Sequence, residues 1–514
     1  MKHFRLSASH NLVSSGGAVA VVRTVLFALV AFGAGHVTAE PIDVGSAKQL
    51  FFDHRFIDAS SNVQVVMNPP RKLGPVLKPD RRWEDFRLTS YFTVLQDGDL
   101  FRMYYSSFSE DQWNYAEAEV TWRDYAFLCY AESKDGVNWH KPNLGIVEYN
   151  GSKDNNILAR SIVDGTVFID PQAPPDERYK ILHTVGPHAG GLRISTSADG
   201  VNFNWATSAL RDWNCDSQQN MFFDARLGKY VGLLRAPRAL EFPGHDQGEW
   251  RMVMRIEVEQ PLDWSKVQPE IVFRPDEKDP VGVDFYTNAA FKYPYAQEAY
   301  FMFPAAYHHF PPEYGNDGLL DISAATSRDG VRWQRIDRKP YVPLGMVGEW
   351  DAMFAMMGVG IVRVGDKLLQ FYNAIDISHG GTRKASKYAS DQASRRRWGW
   401  MGALEQRLDG FYSADAAYGG GHLTTPPIVF KGNRLELNIH SSAAGSARVE
   451  LRDASGKAFR GFSLKDCDLI MTNDVRHGVS WKGKSDVSSL AGKPVRLHLE
   501  MRSTKLYAFQ FTGK

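Results

Sequence analysis

The chain has 514 residues, with 60 lysines and arginines against 59 aspartates and glutamates, and aromatic residues make up 12% of it. A net charge of +1 gives no electrostatic reason to bind nucleic acid or anionic lipid, and the composition is typical of a soluble globular protein of about two domains. Cys129, Cys215 and Cys467 lack CxxC spacing, which argues against a disulfide framework or a structural zinc site. We expect isolated buried thiols, with one disulfide bridge as the alternative.

Residues 1–39 have the pattern of an export signal. Basic residues precede an apolar run at 25–32, and small residues at 37–39 would allow cleavage before Glu40. The run is shorter than the about 20 residues that span a bilayer. The pattern predicts a secreted or periplasmic protein without membrane contact after cleavage. An uncleaved membrane anchor is the alternative, because the segment before the apolar run is long.

A short motif then recurs at a nearly constant interval. Ser133-Lys-Asp-Gly-Val-Asn-Trp139 returns at 197–203 and at 327–333, and a weaker copy ends at Trp264, so the closing aromatic residues are 64, 61 and 69 positions apart. The Asp-Gly pair predicts a hairpin turn that closes a small antiparallel sheet. A period of about 65 residues suits a four-stranded propeller blade with long loops. The aspartates of the motif, Asp135, Asp199 and Asp329, are expected to be structural.

Hairpin patterns predict five blades, whose first strands begin near residues 91, 165, 221, 287 and 360. We therefore predict an all-β protein with a five-bladed β-propeller over 40–400. A strand at 50–57 is the candidate clasp that closes the ring and protects its edges. From residue 405 the strands alternate apolar and polar residues without the repeat, which predicts a separate β-sandwich over 405–514.

This layout resembles the invertase-like and arabinanase-like glycoside hydrolases of families 32, 43 and 68. Residues 214–230 look like the Arg-Asp-Pro stretch that precedes an inner strand in those enzymes, whereas their Asn-Asp-Pro-Asn-Gly block and Glu-Cys pair are absent. Only Asp216 can therefore be matched residue by residue. The resemblance implies a secreted carbohydrate-active enzyme.

Glycoside cleavage needs two carboxyl groups on either side of one bond, one protonated and the other ionised. In a propeller, residues ahead of the innermost strands converge although they are distant in sequence. The candidates for catalysis selected by this rule are Glu84, Asp216, Asp284 and Glu349. The candidates for substrate binding are Trp83, Asp85, Tyr286, Trp350, Asp351 and Arg235.

Each of these side chains has a structural alternative, because an aspartate before a strand often caps a turn or ties blades together. For Asp164, directly followed by Gly165, the cap is the favoured interpretation. His308 and His309 face opposite sides of a strand and cannot share one metal ion. Arg235 could bind an acidic sugar, but neutralisation of nearby carboxylates is favoured.

The sequence thus predicts a glycoside hydrolase that acts on an oligosaccharide or polysaccharide without an organic cofactor or a metal. Two alternatives stay open. A phosphorylase on the same scaffold would gather arginine, lysine or histidine around a phosphate. A non-catalytic glycan-binding propeller would not bring two carboxyl groups within the about 5 to 10 Å that hydrolases use. The C-terminal domain is expected to support the propeller or to bind glycan.

Overall fold

The computed structural model describes residues 40–109, 126–184, 191–213, 215–237, 251–381 and 399–513. Throughout these ranges the regular structure is β-strand, with four short 3₁₀ turns at Arg82–Glu84, Pro175–Glu177, Pro312–Tyr314 and Ser488–Leu490. The predicted all-β class is confirmed. Within the described ranges, no helix has the length and hydropathy needed to cross a bilayer. The predicted export signal lies outside these ranges.

Five strands come first in the chain. They are β1 (Ile42–Gly45), β2 (Gln49–Leu50), β3 (Ala59–Ser61), β4 (Val63–Met67) and β5 (Arg71–Leu77). All of them pair with strands that lie after residue 399.

Three antiparallel sheets follow, each built from strands that are consecutive in the chain. The first contains β6 (Arg87–Leu88), β7 (Thr93–Asp97), β8 (Leu100–Phe108), β9 (Ala126–Ser133) and β10 (Ile157–Arg160). The second contains β11 (Thr166–Ile169), β12 (Tyr179–Thr184) and β13 (Leu192–Ser197). The third contains β14 (Asn220–Asp224), β15 (Lys229–Arg235), β16 (Val253–Val258) and β17 (Glu270–Phe273).

The pairing becomes more complex after residue 282. The strands are β18 (Val283–Phe285), β19 (Phe291–Lys292), β20 (Tyr300–Met302), β21 (Ala305–His309), β22 (Gly318–Ile322), β23 (Ala325–Ser327), β24 (Phe354–Met357), β25 (Val362–Val364), β26 (Lys367–Ile375) and β27 (Trp400–Arg407). β19, β20 and β23 form a small sheet of their own. The others join β5 in one eight-stranded sheet, in the order β18-β21-β22-β24-β26-β27-β5, with β25 on β26.

The first strands of these units lie side by side. β7 lies next to β11 and also next to β25, and β14 lies between β11 and β19. Val359, which precedes β25, hydrogen-bonds to the β7 segment: its N–H donates to Phe92 O and its C=O accepts from Val94 N, both at 2.9 Å. Short antiparallel sheets whose first strands form a ring make a β-propeller, as predicted. The number of five blades stays a prediction, since one eight-stranded sheet unites strands assigned to two blades.

The predicted clasp at 50–57 is wrong. Of these residues only Leu50 belongs to a strand, β2, and it pairs with Ala508 in the C-terminal sheet. The aromatic residues after it form a buried loop, in which Phe51 and Phe56 pack on Phe509 with ring centroids 5.8 and 5.2 Å apart. These residues are apolar because they pack in the core, and not because they form a strand. The ring is instead closed by β5, which pairs with β27.

The periodic motif forms a capped loop instead of a two-residue hairpin. In the first copy, Asp135 Oδ1 accepts hydrogen bonds from the backbone N–H groups of Val137 and Asn138, each at 2.8 Å. Ser133 Oγ accepts from Gly136 N at 2.9 Å, and this glycine has a φ of 74° that favours glycine. The same bonds recur around Asp199 and Asp329. These aspartates are therefore structural, as predicted.

Each loop of this kind packs on the sheet that precedes its own around the ring. The contacts are Trp139 with Phe371 at 5.5 Å between ring centroids, Tyr104 Oη donating to Gly200 O at 2.9 Å, Arg211 Nη2 donating to Ser265 O at 2.9 Å, and Arg226 Nη2 donating to Asp329 O at 3.2 Å. The sequence period thus reflects one contact repeated between neighbouring sheets.

The C-terminal region forms a further eight-stranded sheet. Its own strands are β28 (Tyr412–Ala416), β29 (Gly421–Thr424), β31 (Arg434–Arg452), β32 (Asn473–Gly478) and β33 (Arg496–Thr512), whereas β30 (Ile428–Phe430) pairs only with β1. β2, β3 and β4 complete the sheet, so residues 49–67 hydrogen-bond here and not in the propeller. The apolar side faces a core that includes Phe51, Leu437 and Trp481. The separate β-sandwich over 405–514 stays a prediction.

All three cysteines are free thiols and are buried. Burial raises the pKa of each thiol, and no disulfide bond links any two of them. The expectation of isolated buried thiols is confirmed.

Candidate functional site

Residues that precede the innermost strands converge on one site. Tyr91 lies two residues before β7, Asp216 lies four residues before β14, and Tyr286 directly follows β18, five residues before β19. Tyr91 shares a side-chain hydrogen bond with Tyr286, and Arg235 at the end of β15 contacts Asp216. Burial raises the pKa of Tyr91 well above 10, and the nearby Tyr286 and Asp216 raise it further. Three of the sheets therefore contribute to a single cluster of side chains.

Asp284 is the buried carboxylate of this cluster. It lies on β18 opposite Tyr307 of β21, and its side chain has no exposed surface. Its Oδ2 accepts a hydrogen bond from Arg251 Nη1 at 2.8 Å and lies 3.1 Å from His309 Nε2. Its Oδ1 is equally buried but has no hydrogen-bond partner among the described residues. A buried acceptor without a partner costs about 1 to 3 kcal/mol, so Oδ1 distinguishes Asp284 from a carboxylate whose oxygens are both satisfied by the protein.

Asp216 is the accessible carboxylate, with 46% of its side chain exposed. Arg235 Nη1 donates to the Asp216 carbonyl oxygen at 2.7 Å and lies 3.5 Å from its Oδ2. The φ of Asp216 is 30°, which falls in the left-handed region where residues other than glycine are strained. The hydrogen bond from Arg235 holds this conformation and directs the carboxylate.

Two arginines lie over the aromatic rings beside these carboxylates. The guanidinium carbon of Arg251 is 4.3 Å from the ring centroid of Tyr286 and 5.0 Å from that of Tyr307. Arg235 approaches Tyr286 at 5.7 Å. The His379 ring is 5.3 Å from the Tyr286 ring. Such cation and ring contacts fix the arginines in place. Arg251 Nε, however, is buried without a hydrogen-bond partner among the described residues.

We call this group the arginine–carboxylate cluster, and it consists of Tyr91, Asp216, Arg235, Arg251, Asp284, Tyr286, Tyr307, His309 and His379. The two adjacent histidines of β21 face opposite ways, as predicted: His309 contacts Asp284, whereas His308 contacts Asp321 at 2.9 Å. The hydrogen bond to Asp321 raises the pKa of His308. No group of three His, Cys, Asp or Glu side chains in the described part of the chain is arranged to hold a metal ion.

Glu84 and Trp83 belong to a separate structural network in the first sheet. Glu84 is completely buried, and it accepts hydrogen bonds from Tyr105 Oη and Lys141 Nζ, both at 2.6 Å. Burial raises the pKa of Glu84 and Lys141 opposes this shift. Trp83 Nε1 donates to Asn156 Oδ1 at 2.9 Å. Asp85 follows at the end of the same 3₁₀ turn. Both oxygens of Glu84 thus have protein partners.

Glu349, Trp350 and Asp351 also lie apart from the cluster. Glu349 is exposed, and its Oε2 accepts from Met346 N at 2.7 Å, which makes it the cap of a surface loop. Trp350 packs against Trp400 with ring centroids 6.1 Å apart. Asp351 is buried and accepts from Lys72 Nζ at 2.7 Å, so it ties the closing strand β5 to the last sheet.

Asp164 has the predicted cap-like role. It is buried, and it accepts hydrogen bonds from Thr184 Oγ1 at 2.8 Å and from Thr184 N at 3.2 Å. It therefore secures the end of β12.

Sequence reasoning missed four members of the cluster, which are Tyr91, Arg251, Tyr307 and His379. Arg251 lies two residues before β16, which is not an innermost strand. It is also an arginine, whereas the rule for catalytic groups concerns carboxylates. Tyr91 does precede an innermost strand, so the same rule applied to aromatic residues would have found it. His379 follows β26 without any motif, and nothing in the sequence points to it.

No protein-family model matches this chain, and no curated protein matches it either. Among solved structures, the chain is similar to a glycoside hydrolase, with a TM-score of 0.44, 13% identity and coverage of 66% of this chain and 92% of that one. It is similar to the catalytic domain of the GH62 α-L-arabinofuranosidase of Coprinopsis cinerea, with a TM-score of 0.41, 12% identity and coverage of 66% and 98%.

A third similar structure comes from the GH130 family of mannoside phosphorylases, which contains glycoside hydrolases that target β-1,2 mannosidic linkages in Candida mannan. Its TM-score is 0.42 and its identity 13%, over 72% of this chain and 99% of that one. At these values the likeness assigns neither a substrate nor a catalytic residue to this chain.

Proposed function

We propose that this protein is an exported glycoside hydrolase whose active site is the arginine–carboxylate cluster. One observation carries the proposal: the cluster combines an accessible carboxylate, Asp216, with a buried carboxylate, Asp284, of which one oxygen has no partner among the described residues. Paired carboxyl groups in different surroundings are what glycosidic bond cleavage requires.

The unpartnered atoms fit a ligand rich in hydroxyl groups. Asp284 Oδ1 can only accept a hydrogen bond while ionised, and Arg251 Nε can only donate one. A sugar hydroxyl does both, so it would satisfy either atom. The tyrosine rings of the cluster supply the apolar surface that orients a sugar. We assign the two carboxyl roles of the reaction, proton transfer and attack at the scissile bond as base or nucleophile, to Asp216 and Asp284.

The proposal is tested by turnover on plant, algal and fungal polysaccharides and on aryl glycosides. We expect Asp216→Asn and Asp284→Asn each to lower turnover by about 100-fold or more, because each removes a carboxylate of the reaction. Glu349→Gln is the matched control, since it makes the same chemical change outside the cluster and should leave turnover intact. Circular dichroism verifies that each variant is folded. Full activity in both aspartate variants would refute the site.

A phosphorylase is the second candidate, because Arg235, Arg251, His309 and His379 gather in the same cluster. Arginine and histidine are the side chains that recognise a phosphate. The same turnover assays, run with and without inorganic phosphate, separate the two reactions. A hydrolase releases free sugar without phosphate, whereas a phosphorylase depends on phosphate and releases a sugar phosphate.

A further inference from the structure

A second concave site lies on the C-terminal sheet, among residues that the proposed active site does not use. It is a cavity of about 440 Å³. Its walls include Gly419, His422, Ser446, Arg448, Glu500 and Arg502. Cavities of about 300 to 1,000 Å³ are the usual size of small-molecule sites.

Strand register explains how this surface becomes polar. Ser61 of β3 pairs with His422 of β29, His422 with Glu500 of β33, and Glu500 with Arg448 of β31. Neighbouring residues such as Leu499 turn to the apolar core, so this row faces outward. Four adjacent strands therefore present one continuous polar row, about 14 Å long at the usual spacing of about 4.8 Å between strands.

An exposed aromatic ring stands beside the row. Tyr418 is 67% exposed, and the guanidinium carbon of Arg502 lies 4.3 Å from its ring centroid. Arg502 lies two residues after Glu500 on β33, and it pairs with Ser446. A large ring that is left in solvent but held by a neighbouring arginine is a rigid platform for an apolar ligand face.

The charged groups of the cavity are available for a ligand. Within the described residues, the Glu500 carboxylate and the Arg502 guanidinium form no hydrogen bond with protein groups. Arg448 is held by the backbone oxygens of Leu464 and Cys467. The cavity thus offers a free acceptor and a free donor close together, beside a flat ring. The lining carries two arginines and one glutamate, and a hydroxyl group can donate a hydrogen bond to the glutamate and accept one from an arginine.

We infer that this cavity binds an oligosaccharide chain, with one sugar ring stacked on Tyr418 and its hydroxyl groups bonded to Glu500 and Arg502. Sugar rings have apolar faces and edges of hydroxyl groups, which match the ring and the polar row. The site would hold a glycan on the C-terminal sheet independently of any cleavage elsewhere.

Affinity electrophoresis of the full chain tests this inference, in gels that contain arabinoxylan, arabinan, mannan, galactan or pectin. We expect at least one polysaccharide to retard the protein. Tyr418→Ala and Glu500→Gln should each weaken this binding by about tenfold or more, as expected for central contact residues. Both residues are exposed, so the variants should fold normally.

A control variant separates this site from others. Val281→Ala alters a fully exposed residue on the propeller and should be retarded like the wild type. The inference is overturned if no polysaccharide retards the wild type, or if retardation survives in both Tyr418→Ala and Glu500→Gln. Neither result depends on turnover, so failure here leaves the proposed hydrolase untouched.

Discussion

Asp284 and Glu84 are both completely buried carboxylates, but their hydrogen bonds distinguish their roles. Both oxygens of Glu84 accept hydrogen bonds from the protein, including one from Lys141. Asp284 has one satisfied oxygen and one without a partner among the described residues. A satisfied buried carboxylate stabilises the fold, whereas an unsatisfied one costs free energy and needs a functional explanation, which the proposed active site supplies.

We therefore expect Glu84→Gln to lower stability and spare catalysis. The substitution leaves the buried Lys141 ammonium without its Glu84 partner, and breaking a buried ion pair from one side costs about 3 kcal/mol. Urea unfolding measures this loss. Turnover per folded molecule should match that of the wild type. If activity disappears while the unfolding midpoint stays the same, Glu84 belongs to the catalytic machinery after all.

The rule that carboxylates precede innermost strands selected Asp216 and Asp284, and it also selected Glu84 and Asp351. The sequence could not separate these groups, because the deciding partners are distant lysines. Lys141 lies 57 positions from Glu84, and Lys72 lies 279 positions from Asp351. Such ion pairs follow from the tertiary fold, whereas the position of a carboxylate before a strand follows from local pattern alone.

At the scale of single elements, the capped loops of the periodic motif form contacts that connect neighbouring sheets. Each loop is stabilised by its own aspartate and contacts the preceding sheet, as Gly200 does through Tyr104. A Cβ atom at Gly200 would lie 2.6 Å from Tyr104 Oη, so a glycine is required there for space as well as for its φ of 77°. The sequence identified these loops as structural, but their role between sheets needs the ring.

The loops also predict a pH dependence of stability. Burial raises the pKa of Asp199, but hydrogen bonds from the backbone N–H groups of Asn202 and Val201 outweigh it and lower the pKa to about 2. Because the folded value lies below the unfolded value of 3.8, Asp199 stabilises the fold above pH 3.8 and loses this effect as the pH falls through about 2.

We expect Asp199→Ala to cost about 1 kcal/mol at pH 7, as the loss of a capping side chain does. The difference from the wild type should shrink between pH 4 and pH 2. Urea unfolding of both proteins across this range provides the measurement. A difference that is constant with pH would show that the carboxylate charge has no part in the loop.

At the scale of the whole molecule, the N-terminal strands connect the two ends of the chain. β2, β3 and β4 belong to the C-terminal sheet, and β5 closes the propeller a few residues later. The partners of these strands could not be found from the sequence, since local periodicity does not encode pairing across the whole chain. The same limit explains the wrong clasp at 50–57.

This arrangement predicts that residues 405–514 do not fold by themselves. Without 40–67, the sheet lacks three strands, and its core lacks Phe51 and Phe56. We expect the isolated fragment to show no cooperative thermal unfolding by circular dichroism. Joining 40–67 to it through a flexible linker should restore a cooperative transition. Cooperative unfolding of the fragment alone would contradict this prediction.

The pairing of the chain ends also sets the order of events during synthesis. Gln510 bonds to Ser46 across 464 positions, so the first strands to leave the ribosome have no partner until almost the last residue is translated. Contacts over such separations form slowly, and the waiting segment includes the apolar run Leu50-Phe51-Phe52. We therefore expect this segment to expose apolar surface until the C-terminal strands are made, so a chain that ends before those strands should be prone to aggregation.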